Sequence, residues 1–304
     1  MKELFKNVEV KRISFYLLLT FALTYIYEIA VVWKAVNSEN LALQQAAQML
    51  IPLAMFIPAI CVVIVTLVTK NKFSNLYIKF NFKGNIKYYL LAWFLPSLLI
   101  LVGSLTYFLI FRDKFDANMT YMLNLFAQSG AELTKQQLLM NFFTQMAIGI
   151  LFSPILNAIT CFGEELGWRG FLLPKMLEKF KLLPTLLITG IIWGLWHAPM
   201  TMIGHNYGTE YWGFPYVGII AMCIFCIVIG TILSYVTIKT KSCFPAVIIH
   251  GSLNGLVSAG LFFSSDGGNS FIGPMPTGII GGIGFIIAAI IMMVLLVKEE
   301  KQKA

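Results

Sequence analysis

FPYVGIIAMCIFCIVIGTILSYVTI, residues 214–238, runs without a single Asp, Glu, Lys, Arg or His. A helix rises 1.5 Å per residue, so about 20 such residues cross the roughly 30 Å hydrocarbon core of a bilayer. Seven further blocks meet that length: 13–32, 47–69, 88–111, 142–162, 183–203, 244–263 and 277–297. Backbone polar groups in lipid must be satisfied within the segment, which selects helices. The expected fold is therefore an all-α polytopic membrane protein with about eight transmembrane helices, residues 1–304 forming a single membrane domain. The segment 171–181 alternates apolar residues with Lys175, Glu178 and Lys179 and reads as an amphipathic stretch lying on the membrane surface.

Composition agrees with this reading. Of 304 residues, 58% are hydrophobic and 12% charged, too few charges to solvate a soluble protein of this size. The 14% of aromatic residues, many near block ends, suits interfacial anchoring. The net charge of +8 is spread over short loops with no continuous basic patch, so it signals topology and excludes a nucleic-acid partner. Cys61, Cys161, Cys223, Cys226 and Cys243 lie mostly in apolar blocks, where a thiol packs as a small hydrophobe. Cys223 and Cys226 have CxxC spacing without the second pair of a zinc knuckle. Lys2, Lys6, Lys11 and Arg12 precede the 13–32 block, which is too long for a signal-peptide core and reads as a first span.

Eight spans place alternate loops on opposite sides, and 18 of the 22 Lys and Arg then fall on one side. The other side receives Lys34, Arg112, Lys114 and Lys135. The positive-inside rule makes the rich side, with both termini, cytoplasmic. The loop 112–141 is external, and its sequon at Asn118 carries no weight. No internal repeat and no soluble domain are visible.

Polar residues inside spans are costly and mark function by default. Three clusters stand out: Glu164, Glu165, Gly167, Trp168 and Arg169 at the end of the fourth block; Trp193, Trp196 and His197 inside the fifth; and His250 and Asn254 inside the seventh. Glu165 and Arg169 are four apart and can pair on one helical face. Glu164 is rotated about 100° from Glu165 and stays free to act as a base. His250 and Asn254, also four apart, present two hydrogen-bonding groups on one face. His205 falls in an external loop and reads as non-catalytic. Each cluster alone also fits a bland role: a solvated ion-pair network at a helix end, a structural histidine, or interhelical glue.

Together, a carboxylate and two histidines suggest hydrolysis, with Glu taking a proton from water and His or Asn donors stabilising an oxyanion. The same Glu and two His could instead hold a catalytic zinc, although no HExxH pair is present. Neither GxSxG nor a Ser/His/Asp set appears. Glu164 at a block end and His197 about 20 Å into its own block share a site only if the fourth helix runs past Glu164 or the fifth begins deeper. We expect both, with Gly163, Gly167 and Gly170 permitting close helix approach and a cytoplasmic cavity admitting water.

The ordered set Glu164-Glu165-xxx-Arg169, Trp193-xxx-His197 and His250-xxx-Asn254 resembles the CPBP family of intramembrane proteases. That family includes type II CAAX prenyl endopeptidases and bacterial proteins linked to bacteriocin self-immunity. The matching core covers residues 142–263. The family commonly has Phe where this chain has Trp193, which adds bulk and an N–H donor. The resemblance implies a glutamic endopeptidase without a metal cofactor, acting on a membrane-associated or prenylated peptide in a bacterial plasma membrane, with lipid as its other partner. Glu164 would activate water, His197 would position it, His250 and Asn254 would form the oxyanion hole, and Glu165 and Arg169 would support them. Trp168, Trp193 and Trp196 are candidate walls of the substrate groove. The competing reading is a non-catalytic immunity factor or a transporter-like protein, since intramembrane Glu and His also relay protons. Transporters, however, often show repeated halves.

Overall fold

The computed structural model describes residues 8–303, and every regular element among them is helical. In chain order, α1 is Val8–Val36, α2 Leu41–Val68 and α3 Ile86–Ile110. Beyond them come α4 (Thr120–Gln128), α5 (Lys135–Leu151), α6 (Ser153–Leu156) and α7 (158–177). The second half holds α8 (Leu182–Trp196), α9 (Ala198–Met202), α10 (Tyr216–Thr240), α11 (Phe244–Phe263) and α12 (Ile283–Lys303). Among the described residues, α1, α2, α3, α10 and α11 are long and apolar enough to cross a membrane. The polytopic all-α class thus stands, and five of the eight expected blocks form helices of that length.

The three other expected spans differ in instructive ways. Residues 142–162 are divided over α5, α6 and α7, because the backbone breaks at Phe152, just before Pro154. Residues 183–203 end as a helix at Trp196, and α9 resumes after His197 with Pro199 in its first turn. In the last block, 277–282 are turns and helix begins only at Ile283. A proline has no N–H to offer the carbonyl four residues back, and in lipid that orphan must find another donor. Both breaks are satisfied by an aromatic side chain from a distant helix. The Trp93 indole of α3 donates to Ile150 O at 2.9 Å, and the Tyr25 hydroxyl of α1 donates to Leu195 O at 2.7 Å.

Only the end of the segment 171–181 is a surface stretch: 171–176 are buried and 178–181 exposed. α7 continues past Glu165 through a π-helical turn, Leu166–Leu172, and Phe171, Leu172 and Leu173 are buried. Phe171 packs at a tilt against Tyr16 of α1 with ring centroids 4.8 Å apart, and the buried Lys175 pairs with Glu9. Arg169 and Lys175 are thereby interior groups rather than loop charges, while Lys2 and Lys6 lie outside the described residues.

α8 packs along α10 through Gly190 and Gly194, spaced four apart. A Cβ on Gly194 would sit 2.4 Å from the Cys223 backbone, and one on Gly190 would sit 2.6 Å from that of Ile227. This is small-residue packing, which lets two membrane helices approach without a side chain between them. All five cysteines are free thiols, four of them buried.

Candidate active site

The break at His197 borders a cavity of about 340 Å³. Glu164, His197, His250 and Asn254 all line it, although they come from α7, the α8–α9 junction and α11. α7 runs past Glu164, as the depth argument required. Gly163 lets the 3₁₀ stretch Ile51–Phe56 of α2 lie against it, since a Cβ there would be 2.5 Å from Met55 O. Gly167 faces the Tyr16 hydroxyl at 2.3 Å from the same kind of virtual Cβ. Gly170 is different: from another helix, only Cys243 Sγ comes near it, at 3.8 Å.

The two adjacent carboxylates have separate surroundings. Glu165 is fully buried and Arg169 nearly so. Arg169 Nη1 lies 3.1 Å from Glu165 Oε2, the ion pair that the spacing suggests. The His250 Nδ1–H donates to Glu165 Oε1 at 2.9 Å, which turns the other ring nitrogen away from Glu165. The guanidinium also lies 4.2 Å from the Trp193 ring centroid. A solvated network at a helix end does not describe this cluster.

Glu164 belongs to the second set. It is 2% exposed, and its Oε2 accepts from the Trp193 indole N–H at 2.8 Å. His197 bonds to the same residue: its Nδ1 lies 2.8 Å from Trp193 O. A carbonyl only accepts, so Nδ1 carries the proton and, in the neutral ring, Nε2 keeps its lone pair. Trp193 thus ties the acidic residue to the histidine through two hydrogen bonds. The indole N–H that distinguishes it from Phe is the group that holds Glu164. Asn254 is more open, its Nδ2 lying 3.7 Å from Cys161 Sγ.

Of the three groove tryptophans, Trp193 and Trp196 line the cavity and Trp168 does not. Trp168 lies one layer behind, edge-on to Trp196 at 5.8 Å between centroids. His205 is in a turn after α9, as expected of a loop residue, yet it borders the same cavity as His197 and His250. Among the described residues, no three His, Cys, Asp or Glu side chains are grouped so as to hold a metal ion.

One cavity residue was missed in the sequence. Glu28 of α1 is 2% exposed and lines the cavity at the start of a π-helical turn, Glu28–Trp33. The signal was present: Tyr16, Thr20, Thr24 and Glu28 recur at strict spacing of four and are all buried. Thr24 accepts from the Trp196 indole at 2.8 Å, which docks this stripe beside His197.

Comparison with known proteins meets the same region. Residues 145–256 match the family model described as Type II CAAX prenyl endopeptidase Rce1-like. The chain is also 28% identical over 92 residues to CAAX prenyl protease 2 of Methanococcus maripaludis, covering 30% of this chain and 34% of that protein. The aligned stretch spans about a third of the relative's length. The family resemblance carried by the three motifs is borne out, and the matched residues fall inside the 142–263 core.

Proposed function

We propose that this chain is an intramembrane endopeptidase that hydrolyses a peptide bond of a membrane-associated protein or peptide, CAAX-type and prenylated substrates included. The observation that carries the reading is the meeting of three separated motifs, one of them at a helix break, around one cavity. In the proposed reaction the Glu164 carboxylate takes a proton from water, and the hydroxide adds to the scissile carbonyl carbon. The His197 Nε2 lone pair orients that water. The Asn254 amide and a doubly protonated His250, whose charge Glu165 balances, donate to the oxyanion. When the tetrahedral intermediate collapses, the C–N bond breaks and the leaving amine takes the proton from Glu164. Arg169 and Trp193 are positioning residues: the first fixes Glu165 and the second fixes Glu164 and His197. No step uses a metal.

The surplus of Lys and Arg in alternate loops, which persists at 16 to 4 without the interior Arg169 and Lys175, supports cytoplasmic termini and a reaction near that face of a bacterial plasma membrane. The experiment is a comparison of membrane peptides from cells carrying the wild-type chain or Glu164→Gln. Peptides lost in the variant, at equal expression and unchanged thermal stability, support hydrolysis. Identical peptide sets would refute it and favour a non-catalytic immunity or transport role.

A further inference from the structure

Glu28 is a buried carboxyl whose two oxygens accept no hydrogen bond from the protein, an arrangement that is expensive at membrane depth. The residue lines the cavity together with Glu164, and no Lys or Arg lines it with them. The wall also includes an apolar stretch of α2 that packs on the Glu28 turn: Ile51, Pro52, Ala54 and Met55. Its backbone is held firmly: one helical turn earlier, Thr24 and Tyr25 are hydrogen-bonded to Trp196 and Leu195. A π-helical turn, a costly irregularity that recurs at functional sites, begins at Glu28 itself. The geometry is that of an acceptor fixed in place with its donor left out.

We propose that Glu28 is a specificity-determining residue that receives a cationic group of the bound peptide, a Lys or Arg side chain, while the α2 wall takes a neighbouring apolar side chain. The proposal rests on the endopeptidase reading for the identity of its ligand. Its physical content is separate: Glu28, Glu164 and Glu165 stand against Arg169 and a protonated His250, and the one negative charge left over is completed by a cation carried on the ligand. A charge-assisted hydrogen bond in a water-poor site discriminates by about 10- to 100-fold against a neutral side chain of similar length.

The test uses the full chain in lipid nanodiscs and a set of fluorescein-labelled apolar octapeptides carrying one lysine at each position in turn, with norleucine counterparts. Binding is measured for the wild type, Glu28→Gln and Glu28→Arg, and hydrolysis is followed in parallel with Glu164→Gln as control. The expected result is at least one position where lysine binds about tenfold or more tighter than norleucine. That preference is lost in Glu28→Gln and turned against lysine in Glu28→Arg. Equal binding of every pair, or a preference that survives Glu28→Gln, overturns the proposal whether or not any peptide is cleaved. Absence of cleavage in all variants counts against the endopeptidase reading alone. Thermal unfolding supplies the second readout: a binding residue without a protein partner leaves Glu28→Gln as stable as wild type or more so. A marked loss of stability, including failure to fold, overturns the proposal in favour of a structural role.

Discussion

Replacing Glu165 by Gln, Arg169 by Met, and then both, separates a buried ion cluster from a surface one. The two side chains are 0% and 4% exposed and their charged atoms are 3.1 Å apart, with His250 on the far side of the carboxylate. Removing one partner of such a pair strands the other charge out of water, at a cost of about 3–5 kcal/mol. Simple addition would give the double variant a loss of roughly 6–10 kcal/mol. It should lose far less, because the second substitution removes the charge that the first one stranded. The expected coupling is about 3 kcal/mol, at the top of the range for residues in contact. A solvent-exposed pair would give about 0–1 kcal/mol. The assay is unfolding of the purified chain in mild detergent, followed by tryptophan fluorescence, since Trp193 lies against the guanidinium. Additivity within about 0.5 kcal/mol would refute the argument that this cluster is a single buried unit. Arg169→Lys should fall between wild type and Met, because lysine keeps the charge but not the planar stack on Trp193.

Other outcomes follow from the same geometry. Trp193→Phe removes the N–H that holds Glu164 but keeps an aromatic ring; turnover should fall roughly tenfold yet persist, whereas Trp193→Ala should also destabilise the fold by about 3–5 kcal/mol. Gly194→Leu puts a side chain where the Cys223 backbone already lies 2.4 Å from a virtual Cβ, so the variant should fail to yield a monodisperse protein on size exclusion. Peptide hydrolysis should be unaffected by a strong chelator, and its loss with recovery on adding zinc would contradict the metal-free mechanism. In the loop region, Lys114 beside Asp266, aided by the Gly268 N–H, holds that carboxyl below its ordinary 3.8. The stabilisation is present above the ordinary value and is lost as pH falls through the lowered one. Hydrogen exchange near residues 112–119 should therefore rise below pH 3.8 in the wild type, and in Asp266→Asn it should be raised at neutral pH and change little on acidification.

Long apolar blocks made the helical membrane class readable without coordinates, and 214–238 differs from α10 by only two residues at each end. The motif residues were also readable, because charge and imidazole stand out against leucine and isoleucine. The breaks were harder. Pro154 and Pro199 are visible in the sequence, but each becomes a stable interruption only because Trp93 or Tyr25 reaches the orphaned carbonyl from another helix. Hydropathy averages straight across such points, so two divided helices counted as whole spans. Lys175 misled for a related reason: its charge suggested a wet face, whereas its partner, Glu9, lies 166 positions earlier. Glu28 was lost inside an apolar block, and the spacing-four stripe that announces it appears only once α1 is read as one face rather than as a length.

That stripe has a consequence for how the chain is made. Tyr16, Thr20, Thr24 and Glu28 point toward neighbours such as Gly167 and Trp196, which are synthesised more than a hundred residues later. An acidic residue in a span opposes insertion by about 2.5–3.5 kcal/mol when lipid is its only surrounding. Newly inserted α1 is therefore a poor lipid-facing helix and should stay shielded from lipid until residues through 197 have emerged. Stalled nascent chains ending before or after that point, probed with a lipid-phase crosslinker on α1, should show its exposure fall sharply once the later helices arrive.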